Sequence, residues 1–175
     1  MKATGVVRRI DDLGRIVIPK EIRRNLRIRD GESLEIFVDN NSVVLKKFSI
    51  ISNVLEYAKN LVDSLYSFTK KSVIITDTDS VIAVSSNIHD NIVDKPISDN
   101  LSVCIKRREC ILEKYNKDLS ITDDYVVDSK YVINTIVANG DSVGLVIIFN
   151  DKEIDDDDMK MAMIASKILS KSIEE

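Results

Sequence analysis

Arginine is the residue type that gives this sequence its clearest chemistry. The first 29 residues contain nine basic side chains and three acidic ones, and all but two of the nine are arginines. A guanidinium group presents forked donors that match phosphate oxygens and guanine edges, which an ammonium group matches poorly. The set is Lys2, Arg8, Arg9, Arg15, Lys20, Arg23, Arg24, Arg27 and Arg29. Their clustering predicts a surface that binds nucleic acid.

Short strands and a turn are the elements that must position the first of these arginines. β-Branched runs at residues 6–10 and 15–18 predict two strands, joined by a turn over residues 11–14. Gly14 in this turn is free to adopt a positive φ. Because Arg8 and Arg15 flank the turn, we expect them to project toward a common side.

A small helix and a hairpin complete the basic region. Pro19 suits the entry to a helix over residues 20–26, and two further strands are predicted at 34–38 and 43–47. A β-β-α-β-β unit of about 47 residues struggles to bury enough apolar surface by itself. Without a disulfide or a metal site, the remaining means of stabilisation is a partner chain. The unit is therefore predicted to form an obligate homodimer.

Charge divides the chain into unlike parts. The formal net charge is −4 overall, but residues 1–47 carry +4 and the remainder carries −8. This asymmetry is typical of a nucleic-acid-binding module joined to a module with another role. No secretory signal is recognised, and the longest strongly apolar run, at 143–149, is too short to span a membrane. We expect a cytoplasmic protein.

The second part of the chain alternates between helical and strand patterns. The predicted order is a helix at 54–68, strands at 72–76 and 81–85, a mostly helical stretch at 97–115 with a break at 107–109, strands at 131–138 and 143–149, and a helix at 154–173. Asn139-Gly140-Asp141 predicts a tight turn between the last two strands. This pattern indicates an α+β domain with a central antiparallel sheet.

Residues 5–26 resemble a known family, most clearly over Leu13–Pro19, and residues 34–38 and 44–47 match it too. The family is that of the AbrB-type transition-state regulators. The resemblance implies that two chains exchange hairpins to form one DNA-binding β-barrel. Positions implicated in DNA contact in the family match Arg8, Arg15, Arg23 and Arg24. Lys2, Arg9 and Lys20 are candidate phosphate contacts on the ground of charge alone.

A sporulation branch of this family continues into a GAF-like sensor domain, and the order of elements after residue 50 is similar to it. The resemblance implies an α+β chain with a dimeric swapped-hairpin barrel at 1–50 and a GAF-like domain at 51–175. It further implies a transcription regulator of forespore genes that both activates and represses. A tetramer built as a dimer of dimers is expected, with assembly or signal sensing by the GAF-like domain.

Two alternative functions remain open. Related swapped-hairpin domains serve as antitoxins that bind a toxin protein, and the chain is alternatively such a protein-binding module. A second alternative is a small-molecule sensor whose basic part serves only for dimerisation. An unidentified ligand would require a pocket in the GAF-like domain. The candidate lining residues are Cys104, Arg107, Arg108, Tyr131 and Asn134.

Other chemistry has few candidate residues. Cys104 and Cys110 form no zinc pattern with His89, the only histidine. The acidic run at 155–158 lacks the spacing of a calcium loop and predicts an N-terminal helix cap. No nucleophile motif or glycine-rich phosphate loop is recognised. We therefore expect that the protein binds no metal or cofactor and is not an enzyme.

Overall fold

The computed structural model of the chain describes residues 6–26, 28, 30–31, 33–40, 42–48, 55–89 and 91–174. The chain splits into two compact units, the N-terminal unit Met1–Phe48 and the C-terminal unit Ser49–Glu175. The predicted boundary between residues 50 and 51 lies outside the described residues, and so does the candidate contact Lys2.

The N-terminal unit contains a short helix and a hairpin. Its elements are α1 (Lys20–Asn25), β1 (Leu34–Asp39) and β2 (Ser42–Lys47). The strands pair antiparallel with Asp39 opposite Ser42, so they form the hairpin that the sequence predicts, with each strand one residue longer at the turn. Asn40 in this turn has a φ of 52°, a conformation that asparagine tolerates better than most residues.

The predicted strands at 6–10 and 15–18 are not formed in the single chain. The turn between them is present, because Gly14 N donates to Asp11 O at 2.9 Å and Gly14 has a φ of 75°. A strand requires a neighbour that takes up its backbone hydrogen bonds. Among the described residues, Asp11 N donates to Arg15 O at 3.0 Å and closes the turn, but no backbone hydrogen bond joins residues 6–10 to residues 15–18. The prediction was wrong for the isolated chain.

The C-terminal unit is built around one five-stranded sheet. Its elements are α2 (Leu55–Thr69), β3 (Ser72–Thr76), β4 (Val81–Val84), α3 (Asp99–Arg107), β5 (Cys110–Thr122), β6 (Tyr125–Ala138), β7 (Asp141–Asn150) and α4 (Asp156–Glu174). The strand order is β4-β3-β7-β6-β5, and neighbouring strands are antiparallel. The predicted α+β architecture is confirmed.

Apolar layers cover both faces of this sheet. One layer joins α2 and α4 to the sheet and includes the fully buried Val62, Val146 and Leu169. The other lies beneath α3 and includes Leu101 and Ile147. Because alternate strand residues face opposite sides, the central strands are buried on both faces and read as continuous apolar runs.

The chain between 97 and 115 is helical only as far as the predicted break at 107–109, and the residues after the break differ from the helical prediction. Ser98 caps α3 by accepting a hydrogen bond from Leu101 N, and α3 ends at Arg107, followed by the C-cap Arg108, whose φ of 54° is left-handed. The following residues form β5, which pairs with β6. A register shift between Glu113 and Lys117 interrupts the alternation of β5, so its sequence shows no clear strand period. Pairing with β6 therefore overrides the helical pattern of this segment.

The acidic run caps α4, as the sequence predicts. Asp155 Oδ1 accepts hydrogen bonds from the backbone of Asp157 at 2.9 Å and Asp158 at 3.1 Å. Asp158 Oδ2 in turn accepts a hydrogen bond from Asp155 N at 2.8 Å, which completes a reciprocal capping box. The same oxygen of the buried Asp158 lies 2.6 Å from Lys71 Nζ at the start of β3. These backbone donors, first that of Asp158, lower the pKa of Asp155.

Candidate nucleic-acid interface

The turn at residues 11–14 is organised by one carboxylate. Asp11 Oδ1 accepts hydrogen bonds from Leu13 N at 3.0 Å and Arg15 N at 2.8 Å. These bonds fold the side chain of Asp11 over its own turn, a local arrangement that aspartate favours. The Arg15 backbone bond and then the Arg15 side chain lower the pKa of Asp11. The turn is therefore tied to the arginine that follows it.

Arg15 is held by this turn and remains largely in solvent. Its Nε lies 2.8 Å from Asp11 Oδ2, and its side chain is 71% exposed. This contact uses Nε and leaves the two terminal amino groups, Nη1 and Nη2, unused by Asp11. An arginine in this state presents an oriented donor fork to an anion.

Helix α1 positions two adjacent arginines in different environments. Pro19, with a φ of −56°, occupies the N-cap, and its carbonyl accepts from Arg23 N at 3.0 Å. Arg24 is exposed, whereas Arg23 is half-buried and its Nη1 pairs with Asp30. Arg23 Nε is buried and has no hydrogen-bond partner among the described residues. Arg23 therefore anchors α1 to the turn at residue 30, while Arg24 faces solvent.

A cleft of about 360 Å³ brings together three of the predicted contact residues, Arg8, Lys20 and Arg23. Arg8 and Lys20 are exposed, as is Arg9. The apolar part of the lining includes Val17 and Pro19. Among the described candidates, Arg23 alone is partly withdrawn from solvent, and the others are all accessible to a ligand.

The N-terminal unit exposes its apolar side chains to an unusual degree. None of its described residues between 6 and 48 is buried. Val7, Val17 and Val38 are 86%, 72% and 79% exposed, respectively. Exposed apolar surface on this scale marks a site of association, because monomers rarely leave it in water. The described part of this unit has no core of its own.

The five pocket candidates of the C-terminal unit do not meet at one place. Cys104 and Tyr131 lie together in the apolar layer beneath α3, where burial raises the pKa of Cys104 to about 12 and also raises that of Tyr131. Arg107 and Arg108 are exposed. Asn134 lies on the other face of the sheet and donates to Ser166 Oγ of α4 at 2.8 Å.

The sequence does not reveal the carboxylates that pair with two arginines of the candidate interface. The sequence predicts a turn at Asp11 but neither the bond of Asp11 to Arg15 nor that of Asp30 to Arg23. A signal for the first pair was available, because Asp11 lies four residues before Arg15 across a glycine-containing turn. The second pair is separated by seven residues and depends on how the chain folds after α1.

In the parts of the chain that the structure describes, no three His, Cys, Asp or Glu residues are grouped so as to hold a metal ion. Within the same residues, no helix is long and apolar enough to cross a membrane.

Protein-family comparisons match both units. The C-terminal transcription-factor domain of stage V sporulation protein T matches residues 53–174. The antidote-toxin recognition domain MazE, a bacterial antitoxin, matches residues 7–49. The expected kinship with the AbrB-type regulators also appears among single proteins. Transition state regulatory protein AbrB of Bacillus subtilis (strain 168) is 54% identical over 48 residues, which are 27% of this chain and 50% of AbrB.

One full-length relative and one solved structure complete the comparison. Stage V sporulation protein T of Bacillus subtilis (strain 168) is 44% identical over 178 residues, covering 100% of both chains. The cofactor binding GAF domain of the nutrient sensor CodY from Clostridium difficile superposes with a TM-score of 0.50. That likeness has 14% identity over 70% of this chain and 92% of the other, and it shows a GAF-like fold. The chain belongs to the stage V sporulation protein T family of transcription factors.

Proposed function

We propose that the N-terminal unit binds double-stranded DNA through its exposed arginines. The observation that carries this proposal is the set of accessible guanidinium groups around the turn at 11–14 and along α1. A transcription factor acts at DNA, and residues 48–175 carry a net charge of −8, which disfavours phosphate. The proposed contacts are Arg8, Arg15, Arg23 and Arg24, with Lys2, Arg9 and Lys20 as additional phosphate contacts.

The proposal includes a second copy of the chain. The apolar side chains of the N-terminal unit are exposed in one chain, and a partner that covers them supplies the missing core. Strands at 6–10 and 15–18 would then form by pairing with the partner, as in an exchanged-hairpin barrel. Two chains related by a two-fold axis would present the arginine set twice to the duplex. The proposed extent of this domain is residues 1–50.

The C-terminal unit is the proposed site of assembly and sensing. Helix α4 exposes Met163, Ile164 and Ile168, and α2 exposes Tyr57 and Phe68. Apolar helix faces of this kind favour helix–helix association, which would join two dimers into a tetramer. The GAF-like fold of residues 51–175 would also accommodate signal sensing through an unidentified small molecule.

The biological setting follows from the family. As a member of the stage V sporulation protein T family, the chain regulates transcription in sporulation. The finer proposal is that it acts in the forespore cytoplasm, on the nucleoid, where it activates some genes and represses others. Its arginine surface would serve binding, not catalysis, and the protein is proposed to lack enzymatic activity.

DNA binding by matched variants tests the proposal. Wild-type protein and the R15A variant are titrated with fluorescent duplexes selected from a random pool by the wild type. We expect R15A to weaken binding by tenfold or more, about the worth of one bidentate guanidinium contact. The control is K59A, which removes an exposed charge from α2. Equal affinities of wild type and R15A would contradict the contact assignment.

The MazE match favours a second candidate function, the binding of a toxin protein. The MazE match covers residues 7–49 alone, whereas residues 53–174 match a transcription-factor domain. Co-purification of a stoichiometric small protein with the chain would support this alternative. A chain that purifies alone and binds the selected duplexes would oppose it.

A further inference from the structure

The carboxylate of Asp11 divides its two oxygens between two tasks. Oδ1 accepts the backbone N–H groups of Leu13 and Arg15, and Oδ2 accepts Nε–H of the Arg15 side chain. The first task fixes the turn, and the second fixes the direction of the guanidinium relative to that turn. We propose that Asp11 is a positioning residue that pre-orients Arg15 for DNA, an inference that rests on the proposed DNA-binding function.

Pre-orientation matters because arginine has many rotamers in solvent. Arg15 is 71% exposed, and no described residue besides Asp11 forms an ion pair with it. An unrestrained arginine loses its rotamer freedom when it binds, which weakens the contact. The hydrogen bond to Asp11 restricts the rotamers of Arg15 before DNA binds, so less rotamer freedom is lost on binding. Nη1 and Nη2 remain unused by Asp11 for a base edge or for phosphate.

Simple electrostatics makes the opposite prediction, and this makes the proposal testable. Asp11 places a negative charge beside a surface that binds a polyanion. On charge alone, its neutralisation should strengthen binding to any duplex. If Asp11 positions Arg15, its neutralisation should weaken binding to a preferred sequence, while binding to an arbitrary sequence stays equal or improves. The two accounts therefore differ in sign.

The turn offers a matched control in Asp12. Asp12 is exposed and forms no hydrogen bond or ion pair with any other residue that the structure describes. The D12N variant thus removes the same charge from the same turn without touching Arg15. The D11N variant keeps an oxygen that can accept the turn amides. Its amide NH2, however, cannot accept the Nε–H of Arg15.

The experiment compares full-length wild type with D11N, D12N, R15A and D11N/R15A. Each protein is titrated with the selected duplex and with a scrambled duplex of the same composition, and its oligomeric state is checked by sedimentation. We expect D11N to lose roughly fivefold to tenfold in affinity for the selected duplex and nothing for the scrambled one. We expect D12N to lose nothing on either, and D11N/R15A to match R15A.

The outcomes separate this inference from the proposed function. If R15A is weakened but D11N behaves like D12N, the positioning role is wrong and the DNA surface stands. Additive losses in D11N/R15A would also refute positioning, because Asp11 would then act independently of Arg15. If R15A binds the selected duplex like the wild type, Arg15 is not a DNA contact and the positioning role of Asp11 fails with it, whereas loss of DNA binding by the wild type itself would overturn the proposed function.

A second measurement uses the wild type alone and therefore tests the proposal even if the D11N variant does not fold. In nitrogen-15 spectra of the DNA-free wild type, the Nε–H proton of Arg15 should exchange with solvent more slowly than the Nε–H protons of exposed arginines such as Arg24. Equally fast exchange would overturn the inference.

Discussion

Arg23 and Arg24 are adjacent on α1, yet their surroundings assign them different roles. Arg23 is half-buried and paired with Asp30, whereas Arg24 is exposed. We expect R24A to weaken DNA binding about tenfold with an unchanged melting temperature. R23A should weaken binding and also lower the melting temperature, because it releases α1 from the turn at residue 30. Gel-shift titration and differential scanning calorimetry separate the two effects, and identical behaviour of the variants would contradict this division.

The two cysteines provide a test within the C-terminal unit. Cys104 is buried, and burial together with Glu109 raises the pKa of its thiol to about 12, whereas Cys110 is exposed. The thiolate is the reactive form, so Cys104 stays protonated and unreactive at neutral pH. We expect Ellman's reagent to modify one thiol per chain rapidly, and the second only after unfolding. Fast modification of two thiols, or persistence of the fast phase in C110S, would contradict the burial of Cys104.

At the residue scale, the sequence predicts which side chains carry charge but not which partners they meet. Asp155 capping α4 was predictable, because its bonds are to its own helix start. Lys71 and Asp158 are 87 residues apart, and only the completed fold brings them together. Sequence alone likewise does not reveal which face of a sheet a residue occupies. Cys104 and Asn134 are therefore predicted to line one pocket, although they occupy opposite faces of the sheet.

At the element scale, the Lys71–Asp158 ion pair fastens the start of β3 to the first turn of α4. Both side chains are largely buried, at 17% and 4% exposed. Removal of one partner leaves an unpaired buried charge, so we expect K71M to destabilise the chain by about 3–5 kcal/mol. The control K160A breaks the exposed Lys160–Asp157 pair of the same helix and should change stability little. Urea unfolding measures both, and equal midpoints would show that the buried pair contributes nothing.

The elements that sequence predicted well are those whose signals are local. The β6–β7 hairpin is confirmed, because Asn139 and Gly140 both adopt the positive φ that its tight turn requires. The sequence predicts helix for residues 110–115, the first part of β5, because the bulge in β5 breaks the period of two and its pairing with β6 is tertiary. The strands predicted at 6–10 and 15–18 need hydrogen-bond partners that one chain does not supply.

At the scale of the whole molecule, the two units differ in how they hold their structure. The C-terminal unit has buried apolar layers on both faces of its sheet, whereas no described residue of the N-terminal unit is buried. We expect V17D to prevent the N-terminal units from pairing, because Val17 is 72% exposed in one chain and belongs to the apolar surface that a partner would cover. Sedimentation should show loss of the N-terminal association, with the C-terminal unit still folded by near-ultraviolet dichroism.

The control for that change is V126D, since Val126 is an exposed apolar residue of the C-terminal unit. It should sediment like the wild type. Unchanged assembly in V17D would contradict the proposal that a partner chain completes the N-terminal unit.

The salt dependence of DNA affinity tests the central claim most directly. If four basic side chains of each chain engage phosphates in a dimer, about eight counterions are displaced, and the slope of log affinity against log salt is near −7. A slope of about that size for the wild type, made shallower by loss of Arg24, is the predicted result. A wild-type slope shallower than about −3 would contradict a paired arginine surface on the duplex.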